Sequence, residues 1–117
     1  VTVATADVSA VPPTLAPAVR ALRALHDRAA SAAASAPGKK READDNARRL
    51  GALFWRLNAG QVTPRVGAAL VSLGSALDAG DAVGAGAIAA GLAETDWDEC
   101  GAWLTALKRL VKGAGAR

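Results

Sequence analysis

A chain of 117 residues is long enough for one domain, which at this size buries roughly two-thirds of the surface that the unfolded chain exposes. A net charge of +3 excludes the strongly basic face of a dedicated nucleic-acid-binding protein. The single cysteine excludes an internal disulfide, cannot form a zinc site alone, and indicates a reducing compartment.

Large side chains are scarce, with three Trp, one Phe and neither Tyr nor Met, so the core must rely on Leu and Val. No apolar run approaches the ~20 residues that a membrane-spanning helix needs. A signal peptide is not expected either, because Asp7 interrupts the weakly apolar start. The absence of Met predicts a piece cut from a longer polypeptide.

Residues 1–13 are predicted to form an extended arm. Their Val and Thr residues favour β-structure, but no turn-linked partner strand is present. We expect Val3, Val8 and Val11 to lie on the domain, with Pro12 and Pro13 separating the arm from the first helix.

Two long amphipathic helices come next. Apolar residues at a 3.6-residue period predict a first helix over 14–36, in which Pro17 is tolerated in the first turn. The second is predicted over 41–59, with acidic residues near its start that suit the helix dipole. Gly60 should end it in a left-handed conformation.

A third helix should begin at Pro64, capped by Thr63, and should end near Gly80. Asp81 should cap a short fourth helix that reaches about Leu92. Its three glycines each cost about 1 kcal/mol relative to Ala, so this helix needs tertiary contacts.

The fifth helix contains two of the three tryptophans and the cysteine, and should end at Gly113. Thr95 or Asp96 should cap it, and Asp98 or Glu99 should complete a capping box. The acidic cluster at its start is therefore interpreted as a helix-starting signal.

Short loops between these helices predict an all-α fold, an antiparallel bundle of about five helices over 14–113 with a flexible tail at 114–117. The predicted core residues share the apolar faces of these helices. They are Leu50, Phe54, Leu57, Leu70, Leu73, Leu77, Trp97, Trp103, Leu104 and Leu107.

No catalytic, cofactor or metal site is predicted. His26 lies on the apolar side of its helix with Asp27 pointing elsewhere, and Cys100 is surrounded by acidic residues that oppose a thiolate. The glycine-rich stretch "GAGAIA" lacks the preceding strand that a dinucleotide site requires. A structural role is therefore favoured for His26 and for Cys100, and no small-molecule substrate is expected.

Two surface features are candidates for binding a protein. The densest positive patch contains Lys39, Lys40, Arg41, Arg48 and Arg49, although a solvated turn explains it as well. Trp55 comes directly after Phe54, so it either packs at the flank of the bundle or is an exposed interface residue.

The chain resembles the helical domain shared by the steroid receptor RNA activator protein and the C-terminus of the large outer-cage subunit of the COPII vesicle coat. The resemblance lies in three segments, "GQVTPRV" at 60–66, "ALDAGD" at 76–81 and the closing "WDECGAWLTALKRL" at 97–110. Plant-type coat subunits are the most similar, through "KKREADDNARRLGALF" at 39–54 and "VATADVSAVP" at 3–12. Ala89 departs from the pattern, since the family has a polar residue there.

This resemblance implies a non-enzymatic scaffold domain that contacts other COPII coat subunits during transport from the endoplasmic reticulum to the Golgi. It implies a cytoplasmic location, peripheral on exit-site membranes and vesicles. The other branch of the family supplies the alternative, an RNA-associated regulatory domain, although binding to nucleic acid is not expected from the modest charge.

Overall fold

The computed structural model describes residues 2–115 and folds them into five α-helices. These are α1 (Ala16–Ala34), α2 (Lys40–Asn58), α3 (Pro64–Asp78), α4 (Ala82–Thr95) and α5 (Trp97–Gly115). No strand occurs within residues 2–115. None of the helices in this range is long and apolar enough to cross a membrane.

The five helices pack against one another and close into a ring. Contacts join α1 to α3, α3 to α4, α4 to α5, α5 to α2 and α2 to α1, while α1 also contacts α5. Glycine permits a close approach between α1 and α3, where a Cβ on Gly74 would lie 3.1 Å from the Cα of Ala18. The predicted all-α bundle is thereby confirmed.

The core lies where these helices meet. Eight of the ten predicted core residues are buried, namely Leu50, Phe54, Leu57, Leu70, Leu73, Trp103, Leu104 and Leu107. Leu77 is only partly buried because it lies in the last turn of α3. The prediction for Trp97 was wrong, since this residue is 51% exposed. Trp97 begins α5, and its indole turns toward Gly101, away from the buried face.

The glycine signals for the ends of α2 and α3 are confirmed. Gly60 and Gly80 have φ values of 71° and 75°, in the left-handed region that ends α2 and α3. The carboxylate of Asp81 accepts a hydrogen bond from the Gly84 backbone N–H at 2.9 Å and caps α4 as predicted.

Two predicted caps were wrong. The side chain of Thr63 makes no capping hydrogen bond in α3, and its hydroxyl instead donates to the carboxylate of Glu99 at 2.8 Å. The Thr63 backbone N–H donates to the same carboxylate at 3.1 Å. Glu99 therefore joins α5 to the start of α3. Within residues 2–115, neither Asp98 nor Glu99 completes a capping box with Thr95 or Asp96.

The N-terminal segment packs on α2 through a close backbone contact. The Val3 N–H donates to the Ala47 carbonyl at 3.0 Å, and a Cβ on Gly51 would lie 2.5 Å from the Thr2 carbonyl carbon. Val3 is buried, and Val8 and Val11 are partly buried against the core. The path contains tight turns, such as the Ala6 N–H donating to the Thr2 carbonyl at 2.8 Å, and is not continuously extended.

Some predicted helix boundaries differ from the observed ones. Helix α1 ends two residues early at Ala34, and α4 reaches Thr95 rather than Leu92. Helix α5 continues to Gly115, past the predicted end at Gly113, because a glycine within a helix lowers its stability without ending it. Residues 116 and 117 of the predicted tail lie outside the described residues. The division into arm, bundle and tail stays a prediction.

Candidate interaction surfaces

The predicted positive patch is divided by contacts within the bundle. Arg49 Nε donates to Asp45 Oδ2 at 2.9 Å, and Arg49 Nη1 donates to the Ala102 carbonyl of α5 at 2.9 Å. Arg49 therefore links α2 to α5 and is not a free cation. Lys39, Lys40 and Arg41 are exposed at the start of α2 and form no ion pair within residues 2–115.

Asp45 is shared by three arginines. Besides Arg49, it accepts a hydrogen bond from Arg109 Nη1 at 2.9 Å and lies 3.5 Å from Arg48 Nη2. The hydrogen bond from Arg109, followed by that from Arg49, lowers the pKa of Asp45 below its usual value of 3.8. The hydrogen bonds of Arg49 and Arg109 hold α2 against α5, whereas Arg48 pairs with Asp45 only within α2.

One exposed stripe of α2 combines both predicted surface features. Arg41, Arg48 and Trp55 are spaced seven residues apart, which places them nearly in line along a helix. The side chain of Arg48 is 62% exposed, and Trp55 is 49% exposed. The cations and the tryptophan are therefore parts of one surface, which we call the α2 stripe.

His26 lacks the arrangement of a catalytic base. Its Nδ1 lies 3.2 Å from Asp27 Oδ1, so Asp27 does not point elsewhere as predicted; the two short side chains meet although they are adjacent in sequence. Its Nε2 is buried and has no hydrogen-bond partner among the described residues. In the part of the chain that the structure describes, no serine, threonine or cysteine lines the cavity of about 300 Å³ beside it, whose lining comes mainly from α1, α2 and α5 and includes several alanines.

Cys100 has the properties of a core residue. It is fully buried, and desolvation, followed by the charges of Glu99 and Asp96, raises the pKa of its thiol to about 11. A nucleophilic thiol requires the opposite shift. Within residues 2–115, no three His, Cys, Asp or Glu side chains are grouped as metal ligands would be.

The acidic cluster before Cys100 holds α3 against the α4–α5 junction. Asp96 pairs with Arg65 at the start of α3, and this hydrogen bond lowers the pKa of Asp96. Glu99 binds Thr63 beside it. The cluster thus acts between helices as well as at the start of α5.

Sequence reasoning missed a groove between α4 and α5. It has a volume of about 510 Å³ and is lined by Val83 and Trp97 together with three cations of α5. The signal was present in the spacing of Trp97, Gly101 and Thr105, which repeats every four residues beside the buried stripe of α5. The assignment of Trp97 to the core concealed it.

One comparison with known proteins found a relative that is named for protein transport. The chain is 41% identical over 110 residues to protein transport protein SEC31 homolog B of Arabidopsis thaliana. The aligned region covers 92% of this chain but only 10% of that protein, so the similarity concerns one segment of it. No protein-family model and no solved structure matched the chain. The chain is thus similar to a segment of a SEC31 protein, a type of protein named for its part in protein transport.

Proposed function

We propose that the chain is a non-enzymatic scaffold domain of the COPII outer coat, acting in transport from the endoplasmic reticulum to the Golgi. The observation that carries this proposal is the 41% identity to a segment of a SEC31 homologue over 92% of the chain. The buried thiol of Cys100 and the buried Nε2 of His26, unpaired within residues 2–115, support a role without catalysis. The domain would act on the cytoplasmic side of exit-site membranes, as part of the coat.

The proposed mechanism is weak docking to other coat subunits, repeated over many copies. A small contact gains effective strength when many copies of it are held on one lattice. The α2 stripe is the first proposed contact, because it combines exposed arginines with an exposed tryptophan, two residue types enriched at interface hot spots. Lys39 and Lys40 extend its positive charge at the start of α2.

The test is charge reversal on the α2 stripe. The double variant Arg41→Glu, Arg48→Glu should reduce pull-down of purified coat subunits by the 117-residue domain, and should reduce cage assembly when placed in the subunit that carries the domain. Arg20→Glu together with Arg28→Glu is the matched control, because both arginines are exposed on α1 and form no ion pair within residues 2–115.

Unchanged capture and assembly with the α2 variant would remove the stripe from the proposal. Failure of the unaltered domain to capture any coat subunit would overturn the proposed function. The RNA-associated alternative is not favoured, because the relative that matches 92% of the chain is a protein transport protein and the net charge of +3 is far from that of a dedicated nucleic-acid-binding protein.

A further inference from the structure

We propose that the groove between α4 and α5 binds an acidic peptide segment of a partner protein, with apolar side chains seated beside Trp97 and Val83 and carboxylates beside the cations of α5. This inference deepens the proposed function, on which it rests for the partner being a coat protein. The groove lies on other helices than the α2 stripe, so the two surfaces can be tested separately.

Part of the groove is apolar surface exposed to water, which is energetically unfavourable. Within residues 2–115, three large hydrophobic side chains are exposed, and two of them, Val83 at 86% and Trp97 at 51%, line this one groove. Its floor is made of the small residues Ala82, Gly86 and Ala89. The small floor and the two large side chains leave a depression that apolar side chains of a peptide can fill.

Trp97 is held in position by its own helix. A Cβ on Gly101 would lie 3.1 Å from Trp97 Cε2 and 3.3 Å from Trp97 Cζ2. The indole therefore packs over Gly101, next to the position that a larger side chain there would occupy. An indole fixed in this way loses little conformational entropy when a partner binds. Gly101 is therefore a positioning residue for the groove.

The charges of the groove determine the kind of partner. Lys108, Arg109 and Lys112 line it, and no carboxylate of the described residues does. Arg109 is already bound to Asp45 and Asn46, but Lys108 and Lys112 form no ion pair within residues 2–115. Two such lysines beside an apolar depression are complementary to a peptide that carries Asp or Glu next to apolar residues.

The concave shape favours a peptide over a membrane surface. Trp and Lys side chains also occur on surfaces that bind anionic lipids, but there the apolar residues protrude into the bilayer. Here Trp97 and Val83 flank a depression of about 510 Å³, which a flat lipid surface cannot fill. A peptide can enter it and contact both helices.

The experiment selects binders from a phage-displayed random peptide library on the immobilised 117-residue domain. The matched counter-selection uses the triple variant Trp97→Ala, Lys108→Glu, Lys112→Glu, whose changed side chains line the groove. We expect enriched peptides that combine Asp or Glu with apolar residues. Their binding, measured by fluorescence anisotropy, should weaken about tenfold or more in the variant, as hot-spot truncations do.

Two further variants separate the parts of the groove. Gly101→Ala should weaken peptide binding by displacing the indole, while the helix keeps its stability because Ala favours helix more than Gly does. Arg41→Glu, on the α2 stripe, should leave peptide binding unchanged. Binding should also decrease as salt concentration rises, since the lysines at the surface are screened.

Several outcomes would overturn the inference. The selection could enrich basic peptides or enrich no peptide. The enriched peptides could bind the triple variant as tightly as the original domain. The domain could also bind no peptide and instead sediment with anionic phosphatidylserine vesicles in a way that depends on Trp97. Trp97-dependent dimers in analytical ultracentrifugation would assign the groove to a second copy and would overturn it too. Because the selection uses no coat subunit, its failure would leave the capture of coat subunits by the domain as an independent test of the proposed function.

Discussion

Two faces of α5 each carry a tryptophan, but one tryptophan is buried and the other is exposed. Trp103 and Cys100 are fully buried between neighbouring helices. Trp97 and Lys108 lie on the adjacent face, in the groove beside α4, and Trp97 is half exposed although it is as apolar as Trp103. Hydrophobicity alone therefore does not decide burial; the phase of a residue on the helix and the neighbours it meets do.

The difference between the faces separates stability from recognition. The buried face supplies the large side chains around which the other helices pack, so changes there should affect unfolding. The exposed face contributes little to packing and carries positive charge, so changes there should affect binding. Substitutions on both faces and at their flank can test this division.

The largest effect is expected at Trp103. Replacing it with Ala removes a fully buried indole, and the unfolding free energy should fall by about 3–5 kcal/mol, measured by urea denaturation followed by circular dichroism. Trp103→Phe is the control; it keeps much of the ring volume and removes a buried indole N–H that has no acceptor within residues 2–115, so it should cost less. A loss below about 1 kcal/mol for the Ala variant would contradict the burial of this face.

The second effect concerns the reactivity of Cys100. With a pKa of about 11 in place of 9.0, the thiolate fraction at about pH 8 falls from about one in ten to about one in a thousand. Labelling by a disulfide reagent should therefore be about 100-fold slower than for a free thiol, and slower still through burial. The same protein in guanidinium chloride is the control, and equal rates in the native and unfolded states would show an accessible thiol.

A smaller effect is expected where the flank of α5 meets α2. Asp45 has a lowered pKa in the folded state, so its contribution to stability is present above about pH 3.8 and is lost as the pH falls through the folded-state pKa. Asp45→Asn should lower the urea midpoint near neutral pH, and the unfolding free energy of this variant should decrease less as the pH is lowered. Asp44→Asn changes the same charge at an exposed neighbour without an ion pair within residues 2–115 and is the control. Equal acid sensitivity of the original domain and the Asp45 variant would count against this ion cluster.

The smallest effect on stability is expected at Trp97. Because this side chain is half exposed, Trp97→Ala should change the unfolding free energy by about 0.5 kcal/mol or less. Trp55→Ala, at the other exposed tryptophan, is the matched control and should behave alike. If Trp97→Ala destabilised the domain as much as Trp103→Ala, the two faces of α5 would not differ as described.

Helix positions and most of the core could be predicted from the sequence. The apolar period predicted four of the helices, and the Asp81 cap predicted α4. Gly60 and Gly80 marked the ends of α2 and α3, because these signals act within a few residues of chain. The predictions failed where the deciding contact comes from another helix. Glu99 suited a local capping box, but it binds Thr63 across the bundle.

The candidate surfaces were predicted less well. The positive patch was recognised, but the cation of Arg49 is bound to Asp45 and to the Ala102 carbonyl, so it is engaged within the bundle. Arginine side chains are long, and the sequence does not indicate which carboxylate they reach. The groove between α4 and α5 was missed because its walls come from two helices, and the sequence does not show which faces of the two helices meet.

The sequence by itself determined the all-α architecture and the interior around Phe54 and Trp103, since amphipathic periods and helix-ending residues are local properties of the chain. Only the tertiary structure decided which charged residues join helices, which remain available on the surface, and that Trp97 faces the groove. These outcomes depend on distances between residues far apart in the chain, and such distances are set when the helices pack.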